Sequence, residues 1–274
     1  MLIKIGFDIG YMTAQPTPLV VMLSLHPSRA NDIVSGDNLV TDPPVPVRYY
    51  LDSFGNKCGR LVMPAGTLKL SNAALVRDAG TLEPVVPEAQ QHAIDDLPDD
   101  VIQFLLGSRY CEVDRMTDMA WALFKDTPPG WARVQAICDH VNSHITFGYP
   151  YARATRSAHD AYQERHGVCR DFAHLAVTLC RCMNIPARYC TGYLGDIGVP
   201  PEATPMDFSA WFEVYLSGRW YSFDARHNIP RIGRIVMGRG RDAADVPLTT
   251  SFGRVTLAEF KVVTDEVADA DRAA

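Results

Sequence analysis

No apolar run in the 274-residue chain is long enough to span a bilayer. The longest near its start, Leu19-Val20-Val21-Met22-Leu23, has the size of a strand. The first residues, Met1-Leu2-Ile3-Lys4-Ile5-Gly6-Phe7-Asp8, lack the charged n-region, apolar segment and small-residue cleavage site of a secretory signal. CxxC pairs are missing as well. The seven cysteines (Cys58, Cys111, Cys138, Cys169, Cys180, Cys182 and Cys190) are odd in number and scattered, which predicts reduced thiols in a cytoplasmic protein rather than a disulfide framework. Cys180 and Cys182 stand too close for a zinc knuckle, and with Cys138 they read as small core residues. Positive charge is outnumbered, with 26 Lys and Arg against 32 Asp and Glu. A net charge of −6 argues against nucleic acid or an anionic membrane as partner.

Two near-motifs lack their deciding residue. His140 and His144 have i, i+4 spacing, but the metalloprotease pattern needs Glu after the first His and the chain has Val141. The acidic run Asp95-Asp96-Leu97-Pro98-Asp99-Asp100 has no glycine to shape a calcium loop and reads as solvated surface. No metal and no cofactor are expected.

What remains is an ordinary globular composition, 47% hydrophobic and 21% charged, long enough for one large or two medium domains. No internal repeat is evident. Residues 1–78 read as an N-terminal β domain, a small sandwich: Leu2 to Ile9 alternates, Pro18 to Leu25 is extended, and Val45 to Leu51 and Arg60 to Met63 flank a Phe54-Gly55-Asn56 turn. Residues 79–104, rich in proline and acid, read as a surface linker. An α+β core follows over 105–265, and 266–274 as a tail that frays. Its helices are marked by the stripes Val113-Met116-Met119-Ala120-Leu123-Phe124 and Trp131-Val134-Cys138-Val141-Ile145, and a short helix is expected near 157–165.

The stretch 167–183 organises the core. Phe172, Leu175, Ala176, Leu179, Cys182 and Met183 form one apolar stripe of a helix that starts after Gly167 and is limited by Pro186. Cys169 falls in its first turn, where unpaired N–H groups and the macrodipole favour a thiolate. Downstream, Ala210–Leu216 and Arg219–Asp224 flank Ser217-Gly218, a two-residue hairpin signal. In that register Leu216 faces Arg219, Trp211 comes opposite Asp224, and residue 209 becomes the diagonal neighbour of Asp224, about 7–8 Å away. A histidine at 209 would complete the base-and-orienter half of a nucleophilic triad.

Together, Gly167-Val168-Cys169-Arg170-Asp171-Phe172-Ala173, Ile185-Pro186-Ala187-Arg188-Tyr189, Ala210-Trp211-Phe212-Glu213-Val214-Tyr215 and Trp220-Tyr221-Ser222-Phe223-Asp224 resemble the bacterial transglutaminase-like family. The resemblance covers roughly residues 105–260 and implies a papain-like fold, in which a helix bearing the nucleophilic Cys packs on an antiparallel sheet bearing His and Asp. Residues 1–75 resemble the β domain that often precedes this core in bacterial proteins. By position Cys169 corresponds to the nucleophile and Asp224 to the orienting acid, while Ser209 occupies the histidine position. Serine is not basic near neutral pH and cannot take and return a proton as imidazole does. His227, His174 and His166 are the other histidines considered as substitutes, His227 only if the loop after Asp224 folds back. Tyr149, Tyr151 and Trp211 are candidate cleft or oxyanion residues by position, beside the Cys169 backbone N–H.

The resemblance implies a cysteine protease or amidase acting on peptide or isopeptide amides of a peptide or protein substrate. A Cys169 thioester would be resolved by water or by an amine. The alternative is a catalytically silent member that binds a peptide or protein in the old cleft. A third reading is a competent enzyme in which the serine was introduced.

Overall fold

The computed structural model describes residues 1–201 and 205–267. Alternation in β1 (Leu2–Thr13) buries Ile3, Ile5, Phe7 and Ile9 on one face. β2 (Thr17–Val21), β3 (Ile33–Ser35), β4 (Val40–Asp42), β5 (Arg48–Leu51), β6 (Lys57–Met63) and β7 (Gly66–Arg77) follow, with no α-helix among them. β1 pairs antiparallel with β7 along its whole length, from Leu2 opposite Arg77 to Thr13 opposite Gly66. β3 and β4 continue that sheet beyond β7, while β6 joins β2 to β5 in a second sheet. The two sheets pack Ile3, Ile9, Leu68 and Leu70 against Leu19, Val21, Leu61 and Met63 as a sandwich.

The second half contains α1 (Asp99–Ile102), α2 (Val113–Phe124), α3 (Trp131–His144), β8 (Thr146–Phe147), α4 (Ala158–Glu164), β9 (His166–Gly167) and α5 (Cys169–Cys182). β10 (Ala187–Tyr193), β11 (Ser209–Leu216), β12 (Arg219–Phe223) and β13 (Ile235–Gly240) then form an antiparallel sheet in the order β12-β11-β10-β13. The chain thus has the expected α+β class. α5 is not merely amphipathic, because every residue from Asp171 to Cys182 is buried. It runs through the middle, with α2, α3 and α4 on one side and β10 and β11 on the other. Among the described residues no helix is long and apolar enough to cross a membrane.

Two boundaries differ from the sequence reading. Residues 249–265 do not belong to the helical core: β14 (Thr249–Ser251) pairs with β2, and β15 (Thr256–Glu266) pairs with β1 from Ile3–Glu266 to Met12–Thr256. The C-terminal strands complete the sandwich because β1 and β2 otherwise present unpaired edges. Glu266 therefore belongs to a strand and the Val267 N–H donates to Leu2 O at 2.9 Å, while 268–274, the remainder of the stretch expected to fray, lies outside the described residues. The segment 79–104 is likewise no free linker. Its backbone is fastened to the core by Glu83 N–H to Arg231 O, Trp131 N–H to Ala89 O and Ser217 N–H to Gln90 O, and it buries Ala89, Leu97, Val101 and Phe104. The halves also share apolar contacts: Tyr193, Ile197, Phe208, Ile235 and Met237 pack into the sandwich core.

His174 on α5 is fully buried between the rings of Tyr110 and Tyr189, both with centroids 5.0 Å away, and its Nε2 accepts the Ala243 N–H. Burial, with the charges of Arg170 and Arg181, holds the ring neutral far below its ordinary value. The unfolded chain takes up a proton there below about pH 6.5 and the folded one does not, so stability present above that pH is lost on acidification. His26 and His140 act in the same direction. His174→Gln is expected to flatten the fall in urea midpoint between pH 6.5 and 5 by up to one proton, about 1.4 kcal/mol per pH unit. An unchanged slope would show that this ring does not titrate on unfolding.

Candidate active site

Cys169 opens α5 directly after the short parallel pairing of β8 with β9, which fixes Gly167 beside Phe147. The first turn is tied down by Asp171, whose Oδ2 accepts the Val168 N–H at 2.9 Å and a hydrogen bond from Arg156 Nη1 at 3.1 Å. A Cβ at Gly167 would lie 2.6 Å from that oxygen. The glycine is needed for this close approach rather than only to break the preceding segment.

The thiol, half-buried, packs against the cluster that holds Ala173, Tyr189 and Ala210. Burial pushes it up to about 11; Asp207 and Asp224 push in the same direction, while Arg226 and the Ala210 N–H oppose them. The thiolate expected from the helix terminus is therefore not the resting form, because burial outweighs the terminus here.

The hairpin follows the predicted register through Leu216–Arg219 to Phe212–Phe223, with Ser217 and Gly218 at positive φ in the turn. The ladder ends there, before Trp211 and Asp224 pair. Asp224 instead starts a turn of its own. Its Oδ1 accepts the N–H groups of Arg226 at 2.9 Å and His227 at 3.1 Å, which bends the chain back, and its Oδ2 lies 2.8 Å from His227 Nδ1. Burial would raise this carboxyl, yet the His227 hydrogen bond and the charge of Arg234 hold it well below the usual carboxylate range. An Asp with two N–H groups to satisfy, followed three residues later by His, is the sequence signal for this arrangement.

Ser209 begins β11 opposite Gly192. Its buried Oγ finds no hydrogen-bond partner among the described residues. It lines a cavity of about 110 Å³ together with Tyr149, Asp207, Arg226 and His227. The imidazole on Asp224 therefore comes from His227 and shares a cavity with the serine at the expected histidine position. The charges of Asp207, Arg226 and Asp224 each bear on the Cys169 thiol, and Asp207 and Arg226 also line this cavity.

Other candidates fall elsewhere. Tyr151 is 41% exposed and packs on His166, whose ring is 4.4 Å away and whose Nε2 faces Glu164. Trp211 lies under Arg234 and lines a different cavity with Glu213 and Arg239. His174 is in the core. His140 and His144 stack on each other at 5.2 Å and on Tyr162, an aromatic stack rather than a clasp. Among the described residues no three His, Cys, Asp or Glu side chains gather as a metal site.

The family profile of the transglutaminase-like superfamily matches residues 118–225. A solved structure of a candidate cysteine protease from Cytophaga hutchinsonii superposes with a TM-score of 0.84 at 31% identity, covering 97% of this chain and 90% of that one. The chain belongs to the transglutaminase-like superfamily. An uncharacterised protein of Mycobacterium leprae is 28% identical over 207 residues, 72% of each chain. A Mycobacterium tuberculosis protein is 38% identical over 92 residues, 30% of this chain and 29% of its own. The superfamily match contains Cys169, Ser209 and Asp224 but stops two residues before His227.

The electrostatics at the thiol can be tested directly. Asp207→Asn removes a negative charge that disfavours the thiolate, so the pH midpoint of Cys169 alkylation by iodoacetamide should fall and labelling at pH 8 should accelerate. An unmoved midpoint would contradict the placement of Asp207 against Cys169.

Proposed function

We propose that this member of the transglutaminase-like superfamily is a thiol acyl-transfer enzyme that opens peptide or isopeptide amide bonds of a peptide or protein through a Cys169 thioester. His227 is the base in place of residue 209. The observation that supports this reading is the 2.8 Å contact between His227 Nδ1 and Asp224 Oδ2, with His227 lining the cavity that also holds Ser209.

With Nδ1 donating to Asp224, the acceptor lone pair of the neutral ring is on Nε2. As Sγ attacks the carbonyl carbon, Nε2 takes the thiol proton and Asp224 stabilises the imidazolium. Collapse of the tetrahedral intermediate breaks the C–N bond, and the ring passes its proton to the leaving amine. Water or an amine then attacks the thioester, again giving its proton to the ring, and Cys169 is restored. The first-turn N–H of α5 and Tyr149 are the candidates to receive the oxyanion. A resting neutral thiol suits this sequence, since deprotonation accompanies attack.

A second reading, a silent peptide-binding protein, is favoured by the elevated thiol and by Ser209. Labelling by a peptide-based thiol electrophile separates the two. Cys169→Ala should abolish the adduct, and His227→Asn should slow it about 10²–10⁴-fold. Ser209→His in the His227→Asn background should recover part of that loss. Labelling that ignores His227 but still depends on the peptide portion of the probe would favour the silent reading.

A further inference from the structure

Arg234 is conspicuous because the reaction does not touch it, yet every nitrogen of its guanidinium is engaged. Its side chain is only 5% exposed and lies across the indole of Trp211, with Cζ 4.9 Å from the ring centroid. Nη1 donates at 3.2 Å to Asp224 Oδ2, the same oxygen that His227 Nδ1 contacts. Nε donates at 2.8 Å to Glu83 Oε1, and Nη2 at 3.4 Å to Oε2. Glu83 is itself fixed, since its backbone N–H donates to Arg231 O and its Oε2 accepts the Arg231 N–H.

We propose that Arg234 is the positioning residue of the acid–imidazole pair, holding the Asp224 carboxylate in place for His227 and tying it through Glu83 to the segment that joins the two halves of the chain. This rests on the reading of Asp224 and His227 as the base of the reaction. The fork geometry matters: one guanidinium reaches Asp224 and Glu83 with different N–H groups, which a lysine ammonium cannot do with the same rigidity. Trp211, placed in the substrate cleft by the sequence, is the floor on which this guanidinium lies.

The charges around the pair give the proposal a signature of sign. Arg226 of the same turn, Arg231, Asp196 and Asp207 line the cavity with His227, Cys138 of α3 lines the neighbouring cavity with Glu83 and Asp224, and Asp139 of α3 accepts a hydrogen bond from Asn228 Nδ2. None is altered by substitutions at 83 or 234. Arg234→Gln removes a positive charge next to Asp224 and should favour the protonated form of the His227 ring, raising its pH midpoint. Glu83→Gln leaves the guanidinium less neutralised and should lower it.

The measurement is an NMR titration of the His227 ring in the full chain, assigned with His227→Asn, beside labelling by the peptide electrophile. Opposite shifts are expected, with labelling reduced about tenfold or more in Arg234→Gln and partly retained in Arg234→Lys. Shifts of the same sign, or a lower melting temperature with an unmoved titration, would overturn the proposal. If Arg234→Gln does not fold, Glu83→Gln decides: a lowered midpoint supports the proposal and an unchanged one overturns it. Should His227→Asn leave labelling unaffected, the assigned base fails, while the ring titration still reports whether Arg234 governs the pair.

Discussion

A carboxylate buried without compensation costs several kcal/mol, and Asp224 is 6% exposed. Four donors answer that cost: the N–H groups of Arg226 and His227, the His227 ring and the Arg234 guanidinium. Each donor dictates something else. The two N–H groups bend the chain back after β12, and that bend brings an imidazole three residues later to its own acid. Arg234, buried in turn, needs a second carboxylate, which draws Glu83 and its segment across the core. The path of residues 79–104 follows in part from a charge at the end of a hairpin.

The same coupling joins the two halves. β10 begins with Ala187 in the helical core and ends with Tyr193 in the sandwich core. β14 and β15 return the chain to the sandwich after the core sheet is complete. Met22, which follows β2, belongs to the apolar cluster of Ala173, Tyr189 and Ala210 that crowds the thiol. The sandwich is therefore a wall of the site, not an appendage in front of it.

Much of this was legible in local pattern. Alternation marked β1, the two-residue turn set the β11–β12 register, and the glycine before an apolar stripe marked the start of α5. These features are fixed by neighbours a few residues apart. Less legible were the pairings across the whole chain: β15 with β1 lies some 250 residues apart in sequence, and no period in 249–266 distinguishes a strand of one sheet from another. His227 could be read from the sequence only as a substitute dependent on the loop after Asp224, for a related reason. Register arithmetic carries only as far as the ladder, and the ladder stops at Phe223, one residue before the acid whose turn reverses the chain. Trp211 shares the alternating face of residues 209 and 213, but which layer covers that face depends on Arg234 and the 79–104 segment, neither of which is local to it.

Competition at the thiol bears on the role proposed for His227. A helix terminus favours a nearby negative charge by about 0.3–1 kcal/mol, and up to about 2 when partly buried. Moving a thiol from an ordinary value near 9 to about 11 corresponds to roughly 3 kcal/mol against the thiolate. Burial wins, and the proton remains on sulfur at neutral pH. For the proposed thiol chemistry, such a site cannot depend on a stored thiolate; the proton would have to leave as the carbon–sulfur bond forms. That requires an acceptor held by its own acid. A serine at 209 cannot supply one, whereas an imidazole fixed on a carboxylate held well below its usual range can.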